Sequence, residues 1–204
     1  MIDRFLTKAY GARDASSTRA LYDAWADSYE AEVGENGYAT PGRCAAALRA
    51  RMPDPSRPVL DFGCGTGLSG LALKLAGFTT IDGVDLSPEM LAQAREKSIY
   101  RKLDLIEAGA SLPVAAGGYD AIAAIGVIGA GAAPIAVFDT LMEALEPGGR
   151  LVFSFNDHAL ADPAHEAKVD SWVNGGQAKL LFKEYGDHLP GIELKSNVYV
   201  IEKN

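Results

Sequence analysis

Between Val59 and Gly67 the chain runs Val-Leu-Asp-Phe-Gly-Cys-Gly-Thr-Gly. Two apolar residues lead into an acid, and three glycines then alternate over five positions. A helix-favouring run from Leu68 to Ala76 follows. The pattern predicts a strand ending in a turn nearly bare of side chains, with a helix opening directly from it. Glycine adopts backbone conformations and tolerates close approaches that other residues obstruct. The first turn of the helix adds N–H groups that have no partner within the helix. Bare backbone beside free donors makes a seat for a cofactor.

The rest of the chain alternates regularly around that turn. Strands are predicted at 58–62, 79–84, 102–107, 119–125 and 150–155, with helices between them at 67–76, 88–97 and 135–145. Such alternation implies right-handed crossovers and a mostly parallel sheet covered on both faces. The fourth and fifth strands are mostly apolar, as central parallel strands are. Ahead of the turn, Leu21, Tyr22, Trp25 and Tyr29 recur at helical spacing in a helix predicted over 16–33, which Ser16, Ser17 or Thr18 would cap and Gly34 and Gly37 would end. A second, Ala-rich helix spans 41–51, and Pro53, Pro55 and Pro58 form a stiff connector. After Asn156 a helix over 163–177 and strands over 180–185 and 193–202 are predicted, the two strands joined through a loop at 186–191.

A chain of 204 residues suits one domain with a sizeable core. Its net charge of −8 argues against tight binding to a phosphate backbone, which requires a basic stripe. Cys44 and Cys64 are the only cysteines, one in a predicted helix and one in the glycine turn, so a disulfide is not expected and a reducing cytoplasm is. Cys64 is either a nucleophile or a small residue that fits its turn. Asp3, Arg4 and Lys8 interrupt any signal-peptide core. Residues 121–138 lack charge over roughly the length of a spanning helix. Gly126, Gly129, Gly131 and Pro134 break that run, which predicts a strand, a glycine-rich loop and a helix start rather than a membrane segment.

Gly65-Thr66-Gly67-Leu68-Ser69-Gly70 is a literal G-x-G-x-x-G and raises a nicotinamide or flavin dinucleotide reading. In that fingerprint the first glycine closes the strand, a role that here falls to Gly63, two residues too early. The set Gly63, Gly65 and Gly67 after Asp61 describes the turn better. With it, the chain resembles class I S-adenosylmethionine-dependent methyltransferases. Val59–Gly67 looks like the first motif of that family. Gly83-Val-Asp85-Leu86-Ser87-Pro88-Glu-Met90-Leu91 looks like the second, and Leu145-Glu-Pro147-Gly148-Gly149-Arg-Leu151 like the turn into strand five. All three stand in family order across most of residues 58–156. Leu21–Tyr29 and Gly37-Tyr38-Ala-Thr-Pro41 are similar to the opening of methyltransferases related to one encoded in the human Williams–Beuren region.

The resemblance implies an α/β, Rossmann-like, mostly parallel seven-stranded sheet with helices on both faces and an N-terminal helical lid: a lid segment over 1–52 and the methyltransferase domain over 53–204. It implies S-adenosyl-L-methionine as cofactor, released as S-adenosyl-L-homocysteine. The turn at Gly63, Cys64, Gly65, Gly67 and Leu68 would meet the methionyl half. Asp61 would hold the ammonium through water, or else serve as a turn carboxylate. Asp85 would accept both ribose hydroxyls, or else cap the following helix. Leu86 and Met90 would flank the adenine, or else fill core. Where the family carries an acid after strand three this chain has Gly109, leaving Asp104 or Glu107 in a shifted register, or Ser111 with the Ala110 amide. Tyr22, Tyr29 and Tyr38 are core residues or lid residues, whose aromatic faces favour a sulfonium. Ile125, at the end of strand four, would also contact the cofactor.

Methyl transfer is a direct displacement that rests mostly on alignment, with a base needed only for a protonated acceptor. Asn156, Asp157 and His158 lie just past strand five, where ligands bind in open α/β sheets; His158 is the candidate base, or else a loop residue. His165 is near in sequence. The end of strand four lacks the Asn/Asp-Pro-Pro-aromatic mark of exocyclic-amine methylation, and no acid cluster suggests a metal. The expected acceptor is a small molecule with an apolar body, with no nucleic acid or membrane partner. Two alternatives stand beside it: a non-catalytic module that keeps the fold, and an NAD(P)-dependent oxidoreductase, for which no Tyr-x-x-x-Lys pair is present.

Overall fold

The computed structural model describes residues 15–107, 109, 112, 117–129 and 131–204. Seven strands form one sheet: β1 Val59–Phe62, β2 Ile81–Asp85, β3 Lys102–Leu105, β4 Ala121–Ala124, β5 Arg150–Asn156, β6 Ala178–Leu189 and β7 Leu194–Lys203. Their order is β3-β2-β1-β4-β5-β7-β6. The first five run parallel, and β7 lies antiparallel between β5 and β6. The helices are α1 Ala15–Glu35, α2 Thr40–Arg49, α3 Leu68–Leu75, α4 Pro88–Glu96, α5 Val137–Ala144, α6 Asp157–Leu160 and α7 Pro163–Asn174. The chain steps outward from β1 to β2 and β3, then returns to β4 on the other side of β1. Such a reversal leaves a crevice at the carboxyl ends of β1 and β4.

Side chains alternate along each strand and so feed two cores. Leu60, Ile122, Ala124, Leu151 and Phe153 join Phe138, Leu141 and Met142 of α5 on one face. Val59, Ala121, Ala123 and Val152 join Cys44 and Leu48 of α2 and Leu73 of α3 on the other. Both cysteines are free and buried. A third, smaller cluster seats α1 on α4, with Trp25, Ala26 and Val33 against Met90 and Leu189. The Gln93 side chain donates to the Ala26 carbonyl at 2.8 Å, and Lys97 pairs with Glu30 at 2.5 Å.

The uncharged stretch after Asp120 forms β4, a glycine loop and the approach to α5. Among the described residues no helix is long and apolar enough to cross a membrane.

Three local expectations need correction. Ser16, Ser17 and Thr18 do not cap α1; the helix already includes Ala15, so they sit in its first turn, where Thr18 is buried. Gly34 does not end α1. The last helical residue is Glu35, and the expected stop at Gly37 holds: the Tyr38 amide reaches back to the Val33 carbonyl and the Gly37 amide to that of Gly34, closing a Schellman motif with Gly37 at φ +73°. Finally, 186–189 is strand, not loop. Gly186 pairs with Ser196 and Leu189 with Leu194, and a register irregularity lies between Asp187 and Leu189. Gly-Asp punctuates most sequences, but here the long β7 supplies a full template, and the irregularity absorbs the mismatch.

Candidate functional site

The carboxyl ends of β1, β2 and β4 open onto a cleft of about 810 Å³. The glycine turn, Phe62 to Thr66, forms one side, with Leu68 and Ser69 from the start of α3. Gly63, Gly65 and Gly67 take φ of +69°, +52° and +96°, the left-handed region that strains any residue with a Cβ. A Cβ on Gly63 would stand 2.6 Å from a Val127 methyl, so the turn packs directly on the loop after β4. A Cβ on Gly65 would meet no protein atom within 4 Å and would project into open space. The amides of Gly63 and Cys64 both donate to the Val84 carbonyl, at 2.8 and 3.0 Å.

Asp85 locks this turn to β2. Its Oδ2 accepts the Gly65 amide at 2.8 Å and its Oδ1 the Ser87 amide at 2.9 Å. Ser87, not Asp85, caps α4, through its Oγ and the Met90 amide. Each carboxylate oxygen of Asp85 keeps a second lone pair for a ligand. Burial raises its carboxyl above the usual range; the Ser87 and Gly65 amides work against that, and nearby Asp23 adds to it.

Asp61 lies beneath the turn and is outside the cleft lining. Its Oδ2 accepts the Ser69 hydroxyl at 2.6 Å and the Tyr100 hydroxyl at 2.7 Å. Gly70 makes this possible, since a Cβ there would lie 2.3 Å from the Tyr100 oxygen. Burial drives the Asp61 carboxyl up to about 6, and the two hydroxyls hold it from rising further. Two buried oxygens at the turn, Asp61 Oδ1 and Thr66 Oγ1, have no hydrogen-bond partner among the described residues. Burial also pushes the Cys64 thiol well above its usual value, with Asp61 and Asp85 reinforcing it, so Cys64 is a poor nucleophile although it lines the cleft.

Tyr22 and Tyr29 of α1 line the cleft, whereas Trp25 between them packs into the third core cluster. The Trp25 ring holds Tyr29 edge-on at 4.8 Å and lies 5.7 Å from Tyr22. The Schellman turn brings Tyr38 to the same cleft, close enough that a Cβ on Gly126 would meet its hydroxyl at 2.4 Å. Leu86, Met90, Ile106 and Leu112 form an apolar end, and Ile125, Gly126, Val127, Ala133, Pro134 and Val137 an apolar wall.

The remaining expected residues scatter. Glu107 lines the cleft mouth and pairs with Arg19 at 3.9 Å. Asp104 pairs with Lys102 instead and lines no part of the cleft. Ala110 and Ser111 lie outside the described residues. His158 is exposed on α6 and lines neither the cleft nor the smaller chamber beside it, and His165 packs edge-on against Phe155 in the core. Among the described residues no cluster of three or more His, Cys, Asp and Glu can hold a metal.

Thr18 and Arg19 reach the cleft only through the placement of α1, and sequence spacing alone gave little sign of them; Tyr38, a lid candidate on sequence like Tyr22 and Tyr29, lines the cleft with them. His188 is a more instructive omission. It lines a chamber of about 60 Å³ bordered also by Tyr22, Tyr29, Tyr38 and Gly126, all of which line the main cleft as well. Taking 186–191 as a loop hid it. The one signal was the run from Ala178 to Leu189, free of proline and long enough for a strand.

Residues 38–190 match the family model described as a methyltransferase domain. The chain is 35% identical to human methyltransferase-like protein 27 over 144 residues, covering 69% of this chain and 58% of that protein. It is 33% identical to the 18S rRNA (guanine(1575)-N(7))-methyltransferase of Saccharomyces cerevisiae over 143 residues, covering 63% and 52%. The chain thus spans little more than half the length of these relatives. In fold it is similar to magnesium protoporphyrin IX methyltransferase from Synechocystis PCC 6803, solved with bound S-adenosylmethionine. That match has a TM-score of 0.62 at 17% identity and covers 98% of this chain and 90% of the other.

Proposed function

The chain belongs to the class I S-adenosylmethionine-dependent methyltransferases, and on that premise we propose that it transfers the donor's methyl group to a small acceptor with an apolar body. One observation carries the proposal: the glycine turn, the Asp85 carboxylate and an apolar wall meet in a single cleft. The residues fit the donor. The open space over Gly65 admits a ligand against backbone, and the spare lone pairs of Asp85 suit a ribose diol. The Thr66 hydroxyl, in the cleft lining, has no partner among the described residues and marks polar capacity that the protein itself does not use. Bound there, S-adenosylmethionine supplies a methyl group on a cationic sulfur that departs as a neutral thioether.

In this reading Gly63, Cys64, Gly65 and Leu68 hold the methionyl half; Gly67, expected beside them, lines no part of the cleft, and its open side faces Tyr100 and Lys97. Asp85 holds the ribose, and Leu86 and Met90, with Ile106 and Leu112, flank the base. Of the segment over 1–52, α1 closes the cleft as a lid over the domain at 53–204, whereas α2 packs in that domain's core. Tyr22, Tyr29 and Tyr38 present aromatic faces where a sulfonium gains from them. Ile125 and the wall behind it bind the acceptor's body and exclude water. The residues act by orienting the acceptor, which can supply most of the acceleration of a displacement.

The competing reading is an RNA acceptor, the substrate class in the name of the yeast relative. The net charge of −8, and Arg19 as the lone basic residue among those described in the cleft lining, favour the small molecule. Calorimetry with adenosylmethionine and with NADH, followed by assay of adenosylhomocysteine release across an acceptor library, tests the proposal. Binding of the first donor and turnover with a small apolar acceptor are expected. Binding of NADH alone, or turnover with RNA alone, would overturn it.

A further inference from the structure

The chamber beside the cleft contains an imidazole whose proton is placed by its neighbours. His188 Nδ1 lies 2.8 Å from Thr40 Oγ1, Thr40 Oγ1 lies 3.0 Å from Ser196 Oγ, and Arg43 Nη1 donates to Ser196 Oγ at 3.1 Å. An arginine can only donate. Ser196 therefore accepts from Arg43, and its single proton has one partner among the described residues, Thr40. The Thr40 proton then has one acceptor, Nδ1 of His188. The arrangement that gives every one of these protons an acceptor runs Arg43, Ser196, Thr40, His188; the reverse, with Ser196 accepting from both Arg43 and Thr40, strands the Ser196 proton. An imidazole that accepts at Nδ1 carries its proton on Nε2.

That Nε2–H has no hydrogen-bond partner among the described residues, on a ring only 6% exposed. The ring lines the chamber and stands edge-on to Tyr38 at 5.2 Å. The strand irregularity between Asp187 and Leu189 falls at this residue, a device that re-aims side chains near sites. Ser154, Asn156 and the hydroxyls of Tyr22, Tyr29 and Tyr38 are the other side-chain acceptors of the chamber lining, and none of them accepts from His188. A nearly buried donor without an acceptor costs free energy until something accepts from it.

Resting on the methyltransferase reading, we propose that His188 binds the acceptor through Nε2–H, selecting molecules whose apolar body carries a hydrogen-bond-accepting oxygen such as a carbonyl or carboxylate. The chamber has room for a group of that size but not for a ring. His188 is a positioning donor, not a general base, since Nε2 has no lone pair to take a proton. Its charge state agrees. Burial holds the imidazole down at about 4, with Arg43 and His158 pressing the same way and Asp157 against them.

Two measurements test this on the whole chain. Long-range 1H–15N correlation on histidine-labelled, ligand-free protein at neutral pH reads the tautomer. Protonated Nε2 is expected in wild type, and Ser196→Ala should erode that preference. Protonated Nδ1 in wild type overturns the proposal. The second measurement uses protein loaded with adenosylhomocysteine and a matched pair of probes, 4-hydroxyacetophenone and 4-ethylphenol, which differ in the carbonyl oxygen. The ketone should bind at least ~5-fold tighter, the factor one net hydrogen bond gives. His188→Phe should abolish that preference, and His188→Gln, whose amide can donate from a similar place, should restore part of it. Adenosylhomocysteine affinity reports that each variant is folded and keeps its donor site. Equal affinity for the two probes, binding of neither, or a preference that survives His188→Phe overturns the proposal. Failure of wild type to bind adenosylhomocysteine at all overturns the methyltransferase reading beneath it.

Discussion

Asp61 and His188 are both buried and titrate abnormally, in opposite directions. The folded Asp61 keeps its proton up to about 6, while an unfolded aspartate releases it near 3.8. Between those values the folded state binds more protons, so rising pH lowers stability. The folded His188 stays neutral down to about 4, while an unfolded histidine gains its proton near 6.5. Between those values the unfolded state binds more protons, so rising pH increases stability. The two slopes, each up to ~1.4 kcal/mol per pH unit, oppose one another between about 4 and 6. Relative to wild type, Asp61→Asn should make stability climb more steeply with pH across that window, and His188→Gln should make it climb less or fall. Urea unfolding of ligand-free protein at several pH values checks both; slopes parallel to wild type would refute the account. Asp85 is tested differently. Asp85→Asn replaces an acceptor with an amide that cannot accept both the Gly65 and Ser87 protons, and removes a charged partner for the ribose. Hydrogen bonds to charged groups are worth ~1.5–3 kcal/mol, so adenosylhomocysteine affinity should fall ~10–100-fold by calorimetry. An unchanged affinity would remove Asp85 from the site.

Helix α1 is the element whose sequence understates its role. Its apolar stripe is narrow, and its stability comes from docking on α4 rather than from propensity. Trp25 is the anchor: it is 3% exposed, packs in the cluster that contains Met90, and supports Tyr29 from behind. Trp25→Ala should destabilise the protein by ~3–5 kcal/mol if α1 unfolds together with the core, the usual range for a buried large aromatic. If α1 is a separately opening lid, the thermal midpoint of the sheet should move little, while amide exchange across α1 accelerates and adenosylhomocysteine affinity drops. Exchange mass spectrometry on the variant distinguishes the two outcomes. Accelerated exchange with unchanged affinity would count against any lid role. The Schellman turn at Gly37 fixes the exit of the same helix and so the position of Tyr38.

For the molecule as a whole, charge and topology point to the same substrate class. A net charge of −8 works against binding of a polyphosphate, and the crevice at the β1/β4 reversal is lined mainly by apolar groups. Non-specific binders of nucleic acid reach affinities of ~10⁻⁴–10⁻⁶ M at physiological salt. Anisotropy with a labelled single-stranded RNA should show no saturation at ~100 µM protein under those conditions. Saturation at low micromolar protein, with a steep salt dependence, would instead favour the substrate class in the yeast relative's name.

The order of strands and helices from β1 to β5 was legible in the residues, since apolar periodicity and glycine or proline punctuation are local signals. Element ends shifted by a few residues, as ends set by hydrogen bonding do. The glycine turn, the Ser-Pro start of α4 and the Pro-Gly-Gly turn before β5 are likewise local, because each encodes a backbone conformation in the residues that adopt it. What the chain alone did not show is who meets whom. Asp61 lies under the turn instead of facing the cleft because Ser69 and Tyr100 take its oxygen from elements 8 and 39 residues away. His188 reaches the chamber, while His158 faces solvent, because β6 extends along β7 and meets Thr40 across a separation of 148 residues. Backbone preference acts between neighbours in sequence, whereas burial and hydrogen-bond direction act between neighbours in space, and the latter exist only once the sheet has closed.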